Sequence, residues 1–392
     1  MRKDPTIGKV QDDGEVKRFG DLLQTAFMFP AGTVQPYLES AGLENARLIR
    51  YGTDLAGGLL LVPGGQWFWG KSVPTACVAA VAVAPEFRAY GAASELLNAA
   101  MHELHDRGIA LSTLFPATLG LYRRAGYETG GVVCLASLPT GSIRVHEPSM
   151  KLRAAESGDE PAIREVYRRW ARRITGNMDR VDFNWREMRT QGADTARGYV
   201  VCRDGEIEGY AHLVTRTDAP GRHTLSVTDL AAVSPEAERR LLTFFATHRT
   251  MHTHVEWRSS VSDTMWMHLR EHNYPFRRTS PWMVRVVHVP NALSARGYPP
   301  GLQAEVHLEV RDDLLPENNG PFVLRVADGR GTVEPGGRGT LAIDVRGLAA
   351  LFTGLLSPYD LVSAKLCTAP DSELVTASAV FAGPLPWMRD GF

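Results

Sequence analysis

The chain has 392 residues, of which 44% are hydrophobic and 22% charged, and its formal net charge is -1. This length suits two or three domains, of which three are expected, and the composition is that of a soluble globular protein rather than a disordered or fibrous one. The near-neutral charge gives no support for nucleic acid or an anionic membrane surface as a partner.

Two further features concern location and metal chemistry. The longest apolar run, residues 76–84, is too short to cross a bilayer, and no signal-peptide core follows the basic N-terminus, so a cytoplasmic protein is predicted. The four cysteines are far apart, and neither His102 with His105 nor His252 with His254 has a third ligand nearby. No disulfide framework and no metal site are therefore expected.

The first third of the chain predicts an α/β unit. Helical character over residues 21–44 is broken at Pro30 and Gly32, and an apolar helix-period pattern follows a strongly apolar strand. The predicted elements are strands at 46–51, 59–62 and 75–83, a helix at 91–107, a strand at 110–115 and a short helix at 119–124.

A second unit resembles the first after a linker at residues 147–151. Residues 225–235 repeat the pattern of 77–85, in which an apolar strand meets a proline, a glutamate and a periodic helix, and residues 267–274 resemble 120–127. The chain is therefore predicted to be internally duplicated, with a chance match of two strand-helix units as the alternative.

The last part of the chain, from about residue 287, has a different pattern. Strands are predicted at 304–310, 321–326, 339–345 and 373–379, around a glycine-rich turn at 329–339. The pattern predicts a small α+β domain.

An anion site is predicted where the third strand enters the long helix. Small residues there let backbone N–H groups approach a pyrophosphate, and the helix dipole adds positive potential. A plain strand-to-helix turn, which also needs a glycine, is the alternative. The candidate residues are Val81, Ala82, Val83, Arg88, Ala89, Tyr90, Gly91, Ala92, Ala93 and Ser94, together with Ala117 and Thr118 before the short helix.

The spacing of Arg88, Gly91 and Ala93 resembles the pyrophosphate signature of the Gcn5-related N-acetyltransferases (GNATs). Tyr122, followed by Gly126 and Tyr127, resembles a later motif of that family and implies that Tyr122 is the general acid. A tyrosine with a pKa of about 10 is protonated at neutral pH and can protonate a leaving thiolate. The alternative is that Tyr122 only packs, while Tyr127 is predicted to be structural.

The duplication, residues 283–290 and 292–299, and the terminal Phe392 resemble the mycobacterial enhanced intracellular survival (Eis) acetyltransferases over essentially the whole chain. The resemblance implies tandem GNAT domains at 1–148 and 149–286, then a sterol-carrier-protein-like (SCP2-like) domain at 287–392. It also implies acetyl-CoA in the first domain, Phe392 as general base through its carboxylate, and often a homo-hexamer. The implied acceptor is a primary amine of an aminoglycoside, polyamine or lysine-type peptide.

Departures from the family pattern concern both substrates. Ala89 and Tyr90 stand where the family has consecutive arginines, so weaker cofactor binding is predicted. The aromatic residues Phe27, Phe29, Trp67 and Trp69 are predicted either to hold an ammonium by cation-π contact or to be core, and Asp390 would supply negative charge.

The second repeat is predicted to bind no cofactor, because glutamates follow Pro235 and Leu269 replaces Tyr122. Two alternative functions stay open. One is a tandem GNAT acyltransferase with a longer acyl or aminoacyl donor, and the other is a non-catalytic lipid-binding or small-molecule-binding protein.

Overall fold

The computed structural model describes residues 4–191, 194–219, 222–271 and 275–392. The first repeat is a twisted sheet with helices on both faces. Its elements are β1 (Pro5–Gly8), α1 (Asp13–Phe27), α2 (Val34–Ala41), β2 (Ala46–Tyr51), β3 (Asp54–Phe68), β4 (Lys71–Val83), α3 (Ala92–Asp106), β5 (Leu111–Leu114), α4 (Leu119–Arg124) and β6 (Glu128–Pro139).

The second repeat follows the same plan, with a hairpin and a parallel strand-helix-strand unit. Its elements are β7 (Lys151–Ala154), α5 (Glu160–Ala171), β8 (Met178–Asp179), α6 (Asp182–Arg189), β9 (Thr190–Gln191), β10 (Asp194–Thr195), β11 (Arg197–Arg203), β12 (Glu206–Ala219), β13 (Arg222–Ala232), α7 (Pro235–Thr247), β14 (His254–Ser259) and β15 (Phe276–Val286). The parallel pairs β4 with β5 and β13 with β14 are equivalent, which confirms the predicted duplication.

Strand exchange joins the two repeats. Within the described residues the sheet order is β1-β2-β3-β4-β5-β15-β6-β14-β13-β12-β11-β7, and β8 pairs with β3. The last strand of the second repeat, β15, thus lies between β5 and β6 of the first, with Met283 opposite Leu114. Strand β6 in turn pairs with β14, with Leu138 opposite Val255. The sheet therefore crosses the predicted boundary at residue 148, and each repeat completes the sheet of the other.

The third domain contains a five-stranded sheet, β18-β17-β16-β19-β20, among the described residues. Its helix α9 packs on the exchanged strands β6 and β15, so this domain covers the junction of the repeats. The elements are α8 (Val289–Ala295), β16 (Ala304–Arg311), β17 (Gly320–Ala327), β18 (Arg330–Pro335), β19 (Leu341–Asp344), α9 (Val345–Thr353), α10 (Pro358–Ser363), β20 (Cys367–Thr368) and α11 (Asp371–Phe381).

Helix α3 shows how the sequence determines the first repeat. Leu96, Leu97, Ala100, Met101 and Leu104 form one buried stripe that packs against the sheet. The helix begins after Gly91, whose φ of 79° places it in the left-handed region that favours glycine. The predicted bounds at 91–107 therefore differ from the observed helix by one residue at each end.

One predicted element was wrong, since residues 373–379 lie in helix α11 rather than in a strand. The buried residues Leu374, Ala377, Val380 and Phe381 have helical spacing, and Asp371 and Glu373 lie in the first turn, where carboxylates are favourable. The helical segment predicted at 21–44 is two helices, the first beginning at Asp13 and the second at Val34.

Two smaller points concern the second repeat and the surface. His252 precedes β14, and His254 is its first residue. The predicted match at 267–274 includes residues 272–274, which lie outside the described residues. In the described part of the chain, the longest helices are too short or too polar to span a bilayer.

Candidate active site

Strands β4 and β5 separate at their carboxyl ends. They pair only over Thr75 to Cys77 with Leu111 to Thr113, although β4 continues to Val83. The pairing of β3 with β4 has a register shift, or bulge, between Gly58 and Leu60 of β3. Opposite it on β4, Ala80 has a φ of 52°, which is unfavourable for a residue with a Cβ. The bulge leaves part of β4 unpaired on its β5 side and opens a gap between two parallel strands.

The predicted pyrophosphate turn lies at the end of β4. A 3-10 helix, Pro85–Tyr90, leads to Gly91 at the N-terminus of the 15-residue α3, and no side chain caps this helix. Arg88, Ala89, Tyr90 and Gly91 are exposed. The Nε of Arg88 donates to the Val83 carbonyl at 3.3 Å, and its guanidinium forms no ion pair with any described residue. Uncapped N–H groups, a helix dipole and a free cation fit the diphosphate of acetyl-CoA.

The remaining predicted cofactor residues border the same gap. Val81, Ala82 and Val83 form the end of β4, which has no partner on its β5 side. Ala117 and Thr118 are exposed after β5, and Thr118 is the N-cap of α4 without making a capping hydrogen bond.

Tyr122 and Tyr127 have different environments. Tyr122 lies on α4 with 5% of its surface exposed, and its hydroxyl has no hydrogen-bond partner among the described residues. Burial raises the pKa of Tyr122, which keeps the hydroxyl protonated. Tyr127 is fully buried, its pKa is also raised by burial, and its hydroxyl is 2.6 Å from Ser112 Oγ. Tyr122 thus has an uncommitted proton, whereas the Tyr127 hydroxyl is bound in the core.

A cavity of about 610 Å³ lies between the two repeats and includes the end of the chain. Ala80 and Phe115 enter its wall from the separated strands β4 and β5. The rest of the lining comes from α1, α2 and the loop between them, from β6, from the second repeat and from the tail: Phe27, Phe29, Tyr37, Val133, Leu135, Glu187, Met188, Thr190, Arg216, Ser226, Val227, Thr228, Glu256, Arg258, Ser280, Gly391 and Phe392.

The C-terminal tail reaches this cavity across the second repeat. Trp387 N donates to Thr175 O at 3.0 Å, and Arg389 N donates to Asn177 Oδ1 at 3.0 Å. The final ring, Phe392, packs edge-on against Phe115 with the ring centroids 5.5 Å apart. The last residue of the chain therefore lies in the same cavity as the carboxyl ends of β4 and β5.

A buried ionic cluster holds the tail in place. Asp390 Oδ1 accepts a bond from Arg180 Nε at 2.5 Å, and its Oδ2 accepts one from the Tyr167 hydroxyl at 2.9 Å. Arg180 also binds Asp229 through both Nη atoms, at 2.7 and 3.0 Å. The side chains of Asp390, Arg180 and Asp229 are each 0% exposed. Removing one partner from such a cluster leaves an uncompensated buried charge.

Charged groups in the cavity are unevenly paired. Glu256 accepts from Arg216 Nη2 at 3.0 Å and lies 3.0 Å from Arg277 Nη1. Glu187, on α6, forms no side-chain hydrogen bond or ion pair with a described residue. Burial raises the pKa of Glu187 to about 7, against the opposing effect of Arg186 and Arg258.

Three predicted substrate residues lie outside the cavity lining. Trp67 is buried in a core cluster with Trp170 and Trp387, because its strand faces the second repeat there. Trp69 donates its indole N–H to the Ala382 carbonyl at 2.6 Å. Asp390 is occupied by Arg180, so its charge is neutralised within the protein. Phe27 and Phe29 do line the cavity, and they form an aromatic row with Tyr37.

The second repeat lacks the features of the cofactor turn. Ser234 Oγ caps α7 by accepting from Ala237 N at 3.3 Å. Glu236 pairs with Arg239 at 2.9 Å, and Glu238 is 2.7 Å from His268 Nε2. A capped helix with two carboxylates in its first turn is unfavourable for a diphosphate.

Comparison with known proteins agrees with this architecture. Acetyltransferase (GNAT) domain families match residues 8–130 and 176–286, and a sterol carrier protein domain family matches residues 289–389. N-acetyltransferase Eis of Mycobacterium tuberculosis strain H37Ra is 27% identical over 343 residues, covering 80% of this chain and 79% of that protein. An uncharacterised N-acetyltransferase of Streptomyces griseus is 29% identical over 356 residues, or 82% and 83% of the two chains.

A solved structure is similar over the whole chain. The crystal structure of a GCN5-related N-acetyltransferase from Anabaena variabilis superposes with a TM-score of 0.95 at 37% identity, covering 99% of this chain and 100% of that one. Enzymes of this kind use acetyl-CoA as donor, which fits the uncapped turn at Gly91. The chain therefore belongs to the GCN5-related N-acetyltransferases, as an Eis-like acetyltransferase with two GNAT domains and a C-terminal sterol-carrier-protein domain.

Proposed function

We propose that this enzyme transfers an acetyl group from acetyl-CoA, bound in the first repeat, directly to a primary amine held in the cavity between the repeats. The observation that supports this most is the composition of the cavity wall. It joins Ala80 and Phe115, at the separated cofactor strands, to the chain end at Phe392. Donor, acceptor and a carboxylate thus have access to one space.

The proposed binding of the donor uses the first repeat only. The N–H groups at Gly91 and Ala92 and the guanidinium of Arg88 would hold the diphosphate, and the unpaired edge of β4 from Val81 to Val83 would hold the pantetheine arm. When bound, acetyl-CoA supplies an activated acetyl group. Because a single cation replaces an arginine run, we expect modest donor affinity.

Deprotonation of the acceptor is the first requirement of the reaction. An alkylamine with a pKa of about 10.4 is neutral in only roughly one molecule in a thousand at pH 7. We assign the terminal carboxylate of Phe392 as the proton acceptor. A C-terminal carboxylate with a pKa near 3.5 is a weak base in water. Its basicity must be raised by desolvation in the cavity, and it would take the proton either directly or through a water.

Protonation of the departing thiolate is the second requirement, and we assign it to Tyr122. Its hydroxyl has no other partner among the described residues, and its raised pKa keeps the proton available. The thiolate is thereby released as a thiol. The nitrogen loses its second proton as the amide forms, and this proton returns to the Tyr122 oxygen, directly or through a water, so the amide product is neutral at the reacting nitrogen and Tyr122 regains its proton. Primary amines of aminoglycosides, polyamines and lysine-type peptides are the proposed acceptors, while the hexamer and the cytoplasmic location stay predictions.

The test is thiol release from acetyl-CoA over a set of primary amines, with palmitoyl-CoA as a competing longer donor. Tyr122→Phe retains the ring and removes the proton, so kcat should fall by roughly 10²-fold or more while acetyl-CoA affinity persists. Tyr127→Phe is the matched control, and it should affect stability more than turnover because it breaks the bond to Ser112. Equal losses in the two variants, or no amine-dependent thiol release, would overturn the assignment.

A further inference from the structure

Glu187 is a cavity carboxylate that the reaction described above does not use. It lies on α6 of the second repeat and enters the cavity wall, whereas the proton acceptor and the acetyl end lie at Phe392, Phe115 and Ala80. Its carboxylate has no hydrogen-bond or ion-pair partner among the described residues. Glu256, the other cavity glutamate, is neutralised by Arg216 and Arg277. Glu187 is therefore the glutamate in this wall whose charge no described side chain neutralises through an ion pair.

The surroundings of Glu187 suit an organic cation. Tyr37 lies close enough for the Glu187 charge to raise its pKa, and the Tyr37 ring contacts Phe29 with a centroid separation of 5.2 Å. Phe27 extends this row, with its ring 6.1 Å from that of Phe29. Aromatic faces next to a carboxylate bind an ammonium group by combining cation-π attraction with a charge-assisted hydrogen bond.

The arginines near Glu187 do not neutralise its carboxylate through an ion pair. Arg186 lies on the same helix and Arg258 on β14, and both act on Glu187 only through space, without an ion pair to it. Arg258 Nη1 donates instead to the Arg389 carbonyl at 3.4 Å. A partly buried carboxylate that lies beside aromatic rings and has no ion-pair partner is costly unless a cationic ligand compensates its charge.

The group bound by Glu187 is distinct from the reacting amine. The reacting nitrogen must become neutral next to Phe392, whereas a carboxylate in an aromatic wall stabilises a nitrogen that keeps its charge. A cavity of about 610 Å³ has room for a chain that joins both groups. We propose that Glu187 binds a second, retained ammonium group of the acceptor, so that this enzyme prefers diamines over monoamines of the same size. The inference rests on the proposed function of the cavity as the amine site.

The experiment compares 1,5-diaminopentane with hexylamine, which has the same number of heavy atoms and one ammonium group fewer. In the wild-type enzyme, kcat/KM for the diamine should exceed that for hexylamine by about tenfold or more, mainly through KM. Glu187→Gln should reduce this ratio to about one while changing kcat/KM for hexylamine by less than about threefold. Asp182→Asn is the control, since it removes a carboxylate from the same helix at a side chain that is 88% exposed.

A binding measurement separates this inference from the proposed function. Calorimetric titration of 1,5-diaminopentane into the enzyme with coenzyme A present needs no turnover, and Glu187→Gln should weaken binding by about tenfold or more. If amines are acetylated but the diamine preference and affinity are the same in both proteins, the inference is overturned and the proposed function stands. If no amine is acetylated, the proposed function fails, and the calorimetric comparison alone decides the role of Glu187.

The pH profile gives a third readout. The pKa of Glu187 is about 7, so the free carboxyl gains charge between pH 6 and pH 8 while an alkylammonium stays charged. Arg186, Arg258 and Tyr37 face this group, and Arg216, Glu256 and the terminal carboxylate share the cavity. Diamine affinity should rise about tenfold from pH 6 to pH 8 in the wild-type enzyme and stay flat in Glu187→Gln; a flat wild-type profile would contradict the inference.

Discussion

At the scale of single residues, Glu187 links binding to stability. The pKa of Glu187 is about 7 in the folded protein, against an ordinary value of 4.5. Between pH 4.5 and pH 7 the native state therefore keeps a proton that the unfolded chain has lost. The stability that this proton provides is present below about pH 4.5 and is lost as the pH rises through 7. At about 1.4 kcal/mol per pKa unit the cost of ionisation at pH 8 is at most about 3 kcal/mol, and partial exposure reduces it to about 2 kcal/mol.

Glu187→Gln should therefore stabilise the unliganded enzyme at pH 8, with Tm higher than that of the wild type by about 2 to 3 °C for a chain of this size. At pH 5 the wild-type carboxyl is already neutral in the folded state, and the difference should be less than about 1 °C. Differential scanning fluorimetry at pH 5 and pH 8 measures the difference in Tm between variant and wild type, with Asp182→Asn as control. The same Tm difference at pH 5 and pH 8 would exclude an ionised Glu187 as its source.

For the four aromatic residues predicted to bind substrate, residue type alone could not distinguish cavity residues from core residues. Phe27 and Phe29 line the cavity, but Trp67 and Trp69 pack against the tail and the third domain, which sequence spacing does not place near them. Asp390 looked available because it lies near the chain end, yet its partner Arg180 is 210 positions away. The sequence did not predict Glu187 as a cavity residue, because the second repeat shows no cofactor motif that would indicate a site there.

At the scale of elements, the β4–α3 turn was predictable because its chemistry is local. The spacing of Arg88, Gly91 and Ala93 predicted the helix start, and Gly91 has the positive φ that such a turn needs. Helix α11 was predicted wrongly because Val375 and Thr376 favour strands, whereas the burial of Leu374 and Ala377 depends on packing in the third domain.

The turn also allows a charge test with a matched control. A Cβ at Gly91 would meet no atom within 4 Å, so both Gly91→Asp and Gly91→Asn should fold, and Asp and Asn tolerate positive φ. Only Asp places a negative charge where the diphosphate is proposed to bind. Calorimetry should show acetyl-CoA affinity at least about tenfold lower for Asp than for Asn, and a stoichiometry of one per chain in the wild type. Equal affinities would mean that the diphosphate lies elsewhere, and a stoichiometry of two would mean that the second repeat is not silent.

At the scale of the whole molecule, the exchange of β6 and β15 was beyond prediction from local pattern. Periodicity predicts that a segment is a strand, but it does not specify which repeat that strand joins. The exchange brings the second repeat against β5 and β6 of the first repeat, and the cavity forms at this junction. The second repeat thus contributes Glu187 and Glu256 to the cavity wall, and its Arg180 binds the tail through Asp390.

The ion pair that anchors the C-terminal tail and the proposed proton acceptance by the Phe392 carboxylate can be tested separately. The Arg180–Asp390 ion pair, with Asp390 0% exposed, fixes the tail two residues before its end, and a Cβ at Gly391 would collide with Arg258. Two alanines added after Phe392 should leave this anchor intact while moving the terminal carboxylate and filling the cavity. We expect acetylation to fall by roughly 10²-fold or more, with Tm and acetyl-CoA affinity close to those of the wild type.

Asp390→Asn is the companion variant, since it keeps the terminal carboxylate but removes the charge that pairs with Arg180. It should lower Tm, because a buried guanidinium loses one of its two anionic partners, and it should reduce kcat through a displaced tail. Two alanines added before Met1 serve as the control for chain extension as such. The decisive comparison is the rate with the native end against the extended end at saturating acetyl-CoA. If the extended enzyme retains full activity, the Phe392 carboxylate does not accept the proton, and Glu187 becomes the cavity carboxylate to test in that role.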